Sequence, residues 1–158
     1  MGKREEQFMQ MAVRLSREGM DKGNGGPFGS IVVKDNEVIG KGYNSVLSDH
    51  DPTAHAEIIA IRDACNRLNS FHLEGCEIYT SCEPCPMCLG AIYWARPDKV
   101  YFANTRKNAE DIGFDDSLIY NEIALPMEKR KIPMIQLEVN DALKVFEEWK
   151  LKENKTVY

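Results

Sequence analysis

The sequence predicts one α/β layered domain that spans residues 1–158 and contains a mixed sheet of about five strands. Its 158 residues are 43% hydrophobic, so a chain of single-domain length has enough apolar surface to form a core without disulfide bonds. After an initial hairpin, strand-like segments alternate with helix-like segments. That alternation is typical of helices packed on a sheet.

The predicted helices follow from apolar side chains at helical spacing and from residues that begin or end a helix. Asp51 can cap the second helix and Pro52 suits its first turn, while Pro97 stops the third helix at the residue before it. The predicted helices cover residues 5–20, 51–68, 85–95, 117–124 and 142–152.

The predicted strands are short segments that are rich in β-branched and aromatic residues and bounded by turn residues. A turn at 34–36 joins the first two strands into a hairpin. The predicted strands cover residues 28–33, 37–43, 77–81, 99–103 and 132–139.

Composition excludes several classes of protein. No apolar run approaches the ~20 residues that a membrane span needs, and the first residues become acidic at once instead of forming a secretory signal, so we expect a cytoplasmic protein. The net charge is −5, which gives no general attraction for polyanions. A nucleic-acid partner would need a local basic patch, and the best candidate, 129–131, directly follows the acidic Glu128.

The five cysteines indicate metal or redox chemistry. An odd number cannot form a complete set of disulfides, and three of the five, Cys82, Cys85 and Cys88, follow the spacing C-x-x-C-x-x-C. Cys65 and Cys76 are interpreted as small core residues.

Two short motifs, His55-Ala56-Glu57 and 84–88, each begin a predicted helix. The N-terminal end of a helix stabilises thiolates, and one imidazole with two thiolates suits zinc. Three ligands leave a fourth position for water, as in a catalytic site, and Glu57 could then carry protons to and from that water. The alternatives are a structural zinc site or plain buried thiols. Cys82 and Cys85 also form a C-x-x-C pair, but Cys82 is interpreted as a core residue or a neighbour of the ligands.

The pattern H-x-E followed by P-C-x-x-C is the signature of zinc-dependent nucleobase deaminases. The first two-thirds of the chain resembles the cytidine-deaminase-like superfamily, and nearly the whole chain is similar to the bacterial guanine deaminases. The stretches that carry the resemblance are 25–29, Asn44, 51–57, 80–97, 113–117 and Tyr158.

The resemblance implies a three-layer α/β/α fold with helices on both faces of the sheet. It also implies hydrolysis of guanine to xanthine and ammonia, with one zinc ion per subunit held by His55, Cys85 and Cys88. Glu57 would transfer the protons, and Asp116 would be a second acid at the site. Asp116 could instead cap the following helix, although Asp115 is the expected cap.

The resemblance further assigns substrate contacts to Asn44, Phe28, Trp94 and Tyr158. Each has a simpler alternative: Asn44 is a common turn former, Phe28 and Trp94 are of a type that packs in cores, and a polar tail normally frays. In the resembled family the C-terminal segment, here 153–158, crosses to a partner subunit, so the resemblance implies a homodimer with Tyr158 closing over the purine base.

Three other functions stay open at this stage. A tRNA-adenosine deaminase shares the motif and length, but the balanced charges of the C-terminal region and the net charge of −5 count against RNA. A deaminase of another small amino-heterocycle would use the same zinc site. A zinc-binding module without catalysis would keep the ligands and have no need of Glu57.

Overall fold

The structure, a computed structural model, describes residues 2–158. The chain divides into two compact units, Met1–Ser117 and Leu118–Tyr158, and each is described by itself. None of the helices in residues 2–158 is long and apolar enough to cross a membrane.

The larger unit contains a four-stranded sheet in the order β2-β1-β3-β4. Strand β1 pairs antiparallel with β2 and β3, whereas β3 and β4 are parallel, so the predicted mixed sheet is confirmed. The elements of this unit are α1 (Lys3–Asp21), β1 (Gly29–Lys34), β2 (Glu37–Tyr43), α2 (Val46–Asp49), α3 (Ala56–Leu68), β3 (Cys76–Cys82), α4 (Pro86–Ala95), β4 (Lys99–Asn104) and α5 (Arg106–Glu110).

Alternate residues of the central strands face two different helical layers. Ile31, Val33 and Tyr79 pack with Ala12 of α1. Their neighbours Val32 and Ile78 pack on the other face, in a cluster that includes residues of α3 and α4. Because the side chains of a strand alternate between faces, this pattern places helices on both sides of the sheet. The predicted α/β/α fold class is confirmed.

The second predicted helix begins later than the sequence analysis placed it. Asp51 Oδ1 accepts hydrogen bonds from the Thr53 backbone N–H at 2.8 Å and from Thr53 Oγ1 at 2.7 Å. This local turn occupies the Asp51 carboxylate, which is then not available to cap a helix. Helix α3 begins instead at Ala56, with His55 as its N-cap residue. The predicted start at 51–53 is therefore wrong, and the later start puts His55 at the end of the helix.

Helix α3 lies very close to β2 because a glycine leaves room for it. A Cβ atom on Gly42 would come within 2.3 Å of the Ala56 carbonyl oxygen, far inside any normal contact. A side chain at this position would push the first turn of α3 away from the sheet. Gly42 thus sets the short distance between β2 and the first turn of α3, which carries Glu57 and follows His55.

The smaller unit contains α6 (Ser117–Ala124), a 3₁₀ turn at Met127–Lys129 and α7 (Asn140–Leu151). The predicted strand at 132–139 has no regular structure, so the sheet has four strands instead of about five. A strand needs a hydrogen-bonded neighbour, and residues 118–158, all of them described, contain no other strand. Ile132, Ile135 and Leu137 of this segment are each about four-fifths exposed.

Candidate active site

His55, Cys85 and Cys88 converge where two helices begin. His55 is the N-cap residue of α3 and Cys85 is that of α4, with Cys88 buried in the first turn of α4. Cys85 Sγ and Cys88 Sγ each lie 3.5 Å from His55 Nδ1. All three ligand atoms lie within 4.8 Å of one another, so together they could hold a metal ion.

These distances fit zinc. With ordinary Zn–N and Zn–S bond lengths, a tetrahedral site has N···S edges of about 3.6 Å. The measured separations agree, and the ligand set of one imidazole and two thiols is one that zinc prefers. Three protein ligands leave one tetrahedral position for water.

The two thiols differ in their affinity for a proton. The neighbouring Cys88 and His55 side chains lower the pKa of Cys85 to about 4. The neighbouring Cys85, burial and the charge of Glu57 raise the pKa of Cys88. The pKa of His55 is raised, chiefly by its contact with Cys85. The cluster therefore already holds one thiolate at neutral pH, which is the form that binds metal.

Glu57 lies beside the cluster in the first turn of α3 and is 6% exposed. Its Oε1 accepts a hydrogen bond from Thr80 Oγ1 at 3.1 Å, and its Oε2 accepts one from Cys88 Sγ at 3.4 Å. Burial raises the pKa of this carboxyl, because a charge is less stable away from water. A carboxylate with raised proton affinity next to a water site is suited to accept and return protons.

Cys82 is not in the cluster. Its thiol points to the Thr105 carbonyl oxygen at 3.7 Å, and burial together with the charge of Glu57 raises its pKa to about 11. The Cys82 sulfur is therefore directed at a backbone carbonyl, and it is not one of the three ligand atoms that lie close together.

Asn44 is buried and is held by local contacts. Its Oδ1 accepts the Val46 backbone N–H at 3.2 Å, and its own backbone N–H donates to the Phe28 carbonyl at 2.9 Å. Gly25 packs directly on its amide, since a Cβ on Gly25 would come 2.0 Å from Asn44 Oδ1. The turn contact expected of an asparagine is thus present, and a role in binding the base stays a prediction.

Phe28 belongs to an aromatic pair that sequence reasoning did not identify. Its ring meets the edge of Phe114 at a right angle, with centroids 4.9 Å apart. Gly26 lies against both rings, because a Cβ there would come 2.7 Å from Phe114 and 2.9 Å from Phe28. Phe114 falls in the stretch 113–117 that carries the family resemblance, but nothing in its spacing indicates a contact across 86 residues of chain.

The two neighbouring aspartates have separate environments. Asp115 Oδ1 accepts the Ser117 backbone N–H at 2.8 Å at the start of α6, which is the capping contact expected of it. Asp116 makes no such bond among the described contacts. Burial and the negative charge of Cys85 raise its pKa, so Asp116 lies within electrostatic range of the cluster.

Trp94 and Tyr158 are both 66% exposed. Trp94 lies on α4, where Ile92 is buried and Leu89 is 40% exposed. Tyr158 ends the smaller unit. Their contacts with a purine base stay predictions.

Comparison with known proteins agrees with the chemistry of the cluster. A family model described as the cytidine and deoxycytidylate deaminase zinc-binding region matches residues 2–104. The chain is 51% identical to guanine deaminase from Bacillus subtilis over 97% of this chain and 98% of that protein. It is 48% identical to a tRNA-specific adenosine deaminase from Aquifex aeolicus, over 65% of this chain and 66% of that protein.

A solved structure supports the same relationship. The crystal structure of guanine deaminase from Bacillus subtilis superposes with a TM-score of 0.95 at 50% identity, covering 100% of this chain and 99% of that one. The family match spans the sheet, both helix starts and all three side chains of the His55, Cys85 and Cys88 cluster. The chain therefore belongs to the cytidine and deoxycytidylate deaminase family, whose members share this zinc-binding region.

Proposed function

We propose that this protein is a hydrolase that deaminates guanine to xanthine and ammonia. The main support for this proposal is the similarity to a guanine deaminase over nearly the full length of the chain. The similarity to the tRNA-specific enzyme from Aquifex aeolicus is limited to about two-thirds of the chain. The geometry around Glu57 supplies the chemistry that such a reaction needs.

In the proposed site, His55, Cys85 and Cys88 hold one zinc ion per subunit. Zinc, when bound, acts as a Lewis acid that makes water nucleophilic at neutral pH. Glu57 accepts a proton from the attacking water and delivers it to the ring nitrogen beside carbon 2 of the base. The new bond joins the water oxygen to carbon 2. Glu57 then transfers the remaining proton of that oxygen to the amine, so that the carbon–nitrogen bond breaks, ammonia leaves and the oxygen becomes the carbonyl oxygen of xanthine.

Other residues of the site bind the base and assist the leaving group. The amide of Asn44 suits the edge of a purine, which presents both donors and acceptors. Phe28 packs against the base, supported by its contact with Phe114. Asp116 acts as a second acid near the departing amine, and burial together with the charge of Cys85 raises its pKa.

We further propose a homodimer in which the C-terminal segment crosses to the partner subunit. Residues 118–158 contain no buried residue within one chain, and their exposed side chains include Leu137, Phe146 and Trp149. Exposed apolar surface on this scale marks an interaction site. We infer that a second copy of the chain covers this apolar surface. Tyr158 would then close over the site of the partner subunit. A cytoplasmic location also stays a prediction.

The function is tested by measuring ammonia release from the zinc-loaded protein. Guanine, adenine, cytosine and an anticodon stem-loop RNA are supplied in parallel, with a chelator-treated sample as the control. We expect release from guanine that disappears on removal of the metal. Release from the RNA alone would contradict the proposal, and release from adenine or cytosine alone would assign another amino-heterocycle.

The role of Tyr158 leads to a separate prediction. Tyr158→Ala, or deletion of 156–158, should lower kcat for guanine by about 10-fold, which corresponds to loss of one aromatic contact of up to about 1.5 kcal/mol. Tyr158→Phe should retain most of the activity. The melting temperature should change little, because none of residues 156–158 is buried within one chain.

A heterodimer distinguishes crossing of the tail from action within one chain. Chains with Glu57→Gln and chains with Tyr158→Ala are given different affinity tags, co-expressed and purified together. If the tail crosses, one site of each mixed dimer combines an intact Glu57 with an intact Tyr158, and activity recovers. Mixed dimers no more active than the Tyr158→Ala homodimer would refute the crossing.

A further inference from the structure

Thr80 contacts the carboxylate that the proposed reaction uses for proton transfer. Its Oγ1 donates a hydrogen bond of 3.1 Å to Glu57 Oε1, and the two residues are 1% and 6% exposed. We propose that Thr80 is a positioning residue, whose hydroxyl holds the Glu57 carboxylate in the orientation that proton transfer requires. This inference rests on the deaminase function proposed above.

The backbone of Thr80 is a rigid support for this contact. Thr80 pairs with Ser30 of β1 on one side and with Phe102 of β4 on the other, so its backbone is fixed within the sheet. A β-branched side chain also has few allowed rotamers. Glu57, in contrast, has a long side chain in the first turn of a helix. The hydrogen bond therefore holds the end of a long side chain against a strand whose backbone is fixed on both sides.

The second side-chain contact of Glu57 is weaker. Cys88 Sγ lies 3.4 Å from Glu57 Oε2. As a thiol it is a weak hydrogen-bond donor compared with a hydroxyl, and as a thiolate ligand of the metal it would have no proton to donate. The two donors approach different oxygens of the same carboxylate. Loss of the Thr80 hydroxyl would free Oε1 and let the carboxylate rotate about its last torsion, which is a soft one.

The experiment compares variants that differ in this hydroxyl. Thr80→Val removes it with little change of shape, Thr80→Ala removes it without adding a methyl group, and Thr80→Ser keeps it. Ser30→Ala is the matched control, because Ser30 is a buried hydroxyl on the adjacent strand that donates to the Tyr79 carbonyl at 3.1 Å. For each variant we measure kcat and KM with guanine, and zinc bound per chain.

We expect Thr80→Val and Thr80→Ala to lower kcat by about 10- to 100-fold, the scale of a misplaced catalytic group. KM and zinc content should stay close to the wild-type values, since binding of substrate and metal does not use this contact. Thr80→Ser should restore most of kcat, and Ser30→Ala should leave it unchanged.

Several results would overturn the inference. Wild-type kcat in Thr80→Val or Thr80→Ala would show that the contact is dispensable. A serine variant as slow as the valine variant, or an equal loss in Ser30→Ala, would show that packing of the strand matters and the hydroxyl does not. Loss of zinc in Thr80→Val would show that the substitution lowers kcat by disturbing the metal ligands, and that its contact with Glu57 is not the cause. Failure of the wild-type protein on guanine would instead reject the proposed substrate, and the same variants would be compared on the substrate that is deaminated.

Discussion

Glu57→Gln is expected to lower kcat for guanine by about 10³-fold, within the range attributed to general acid–base catalysis. The glutamine has almost the same shape and its carbonyl can still accept the Thr80 hydroxyl, but it cannot accept and return a proton. The zinc content and the circular dichroism spectrum should match the wild type, because Glu57 is not one of the clustered metal-binding groups.

Glu77→Gln is the matched control for this change. Glu77 is also hydrogen-bonded to a hydroxyl, accepting from Tyr79 at 2.9 Å, and it pairs with Arg4 at 2.8 Å. Its neutralisation should weaken the link between α1 and β3 without affecting kcat. Turnover by Glu57→Gln at the wild-type rate would refute the proton-transfer role, and an equal loss of kcat in Glu77→Gln would attribute the effect to general damage.

Cys85→Ser is expected to abolish both zinc binding and activity. A serine hydroxyl does not ionise at neutral pH as this thiol does, so the site loses the thiolate that the neighbouring groups stabilise. Zinc measured by atomic absorption after dialysis should fall from one per chain, the proposed stoichiometry, to near zero. Deamination of guanine should fall to the background level of the assay.

Cys82→Ser supplies the comparison, because Cys82 and Cys85 form a C-x-x-C pair in sequence while their contacts differ. A serine at 82 can donate to the Thr105 carbonyl as the thiol does, so the variant should keep its zinc and its activity. Loss of zinc from Cys82→Ser together with retention by Cys85→Ser would exchange the two assignments and refute the proposed ligand set.

The places of His55, Cys85 and Cys88 at the starts of two helices could be predicted from local sequence. His55 and Cys85 each stand at the start of a helix, and helix starts are marked by nearby residues such as the proline that follows Cys85. The spacing of Cys88 from Cys85 then places both sulfurs in one turn. The exact start of α3 could not be predicted, because the competing turn between Asp51 and Thr53 used the capping carboxylate.

The fifth strand was mispredicted for a related reason. The segment 132–139 has the alternating apolar residues of a strand, with Ile135, Leu137 and Val139 separated by polar side chains. Such a pattern indicates that a segment can form a strand beside another strand, but it carries no information on whether a neighbouring strand is present. Within residues 118–158 there is none.

By itself, the sequence determined the alternation of helices and strands, the mixed sheet and the identity of the His55, Cys85, Cys88 and Glu57 group, because each depends on spacings of a few residues. Only the tertiary structure decided that Thr80 contacts Glu57 and that Phe114 contacts Phe28. Both contacts join residues far apart in the chain. The first depends on strand register and on the distance of α3 from the sheet, and the second on the packing of two loops. Such properties of packing are encoded in no single stretch of sequence.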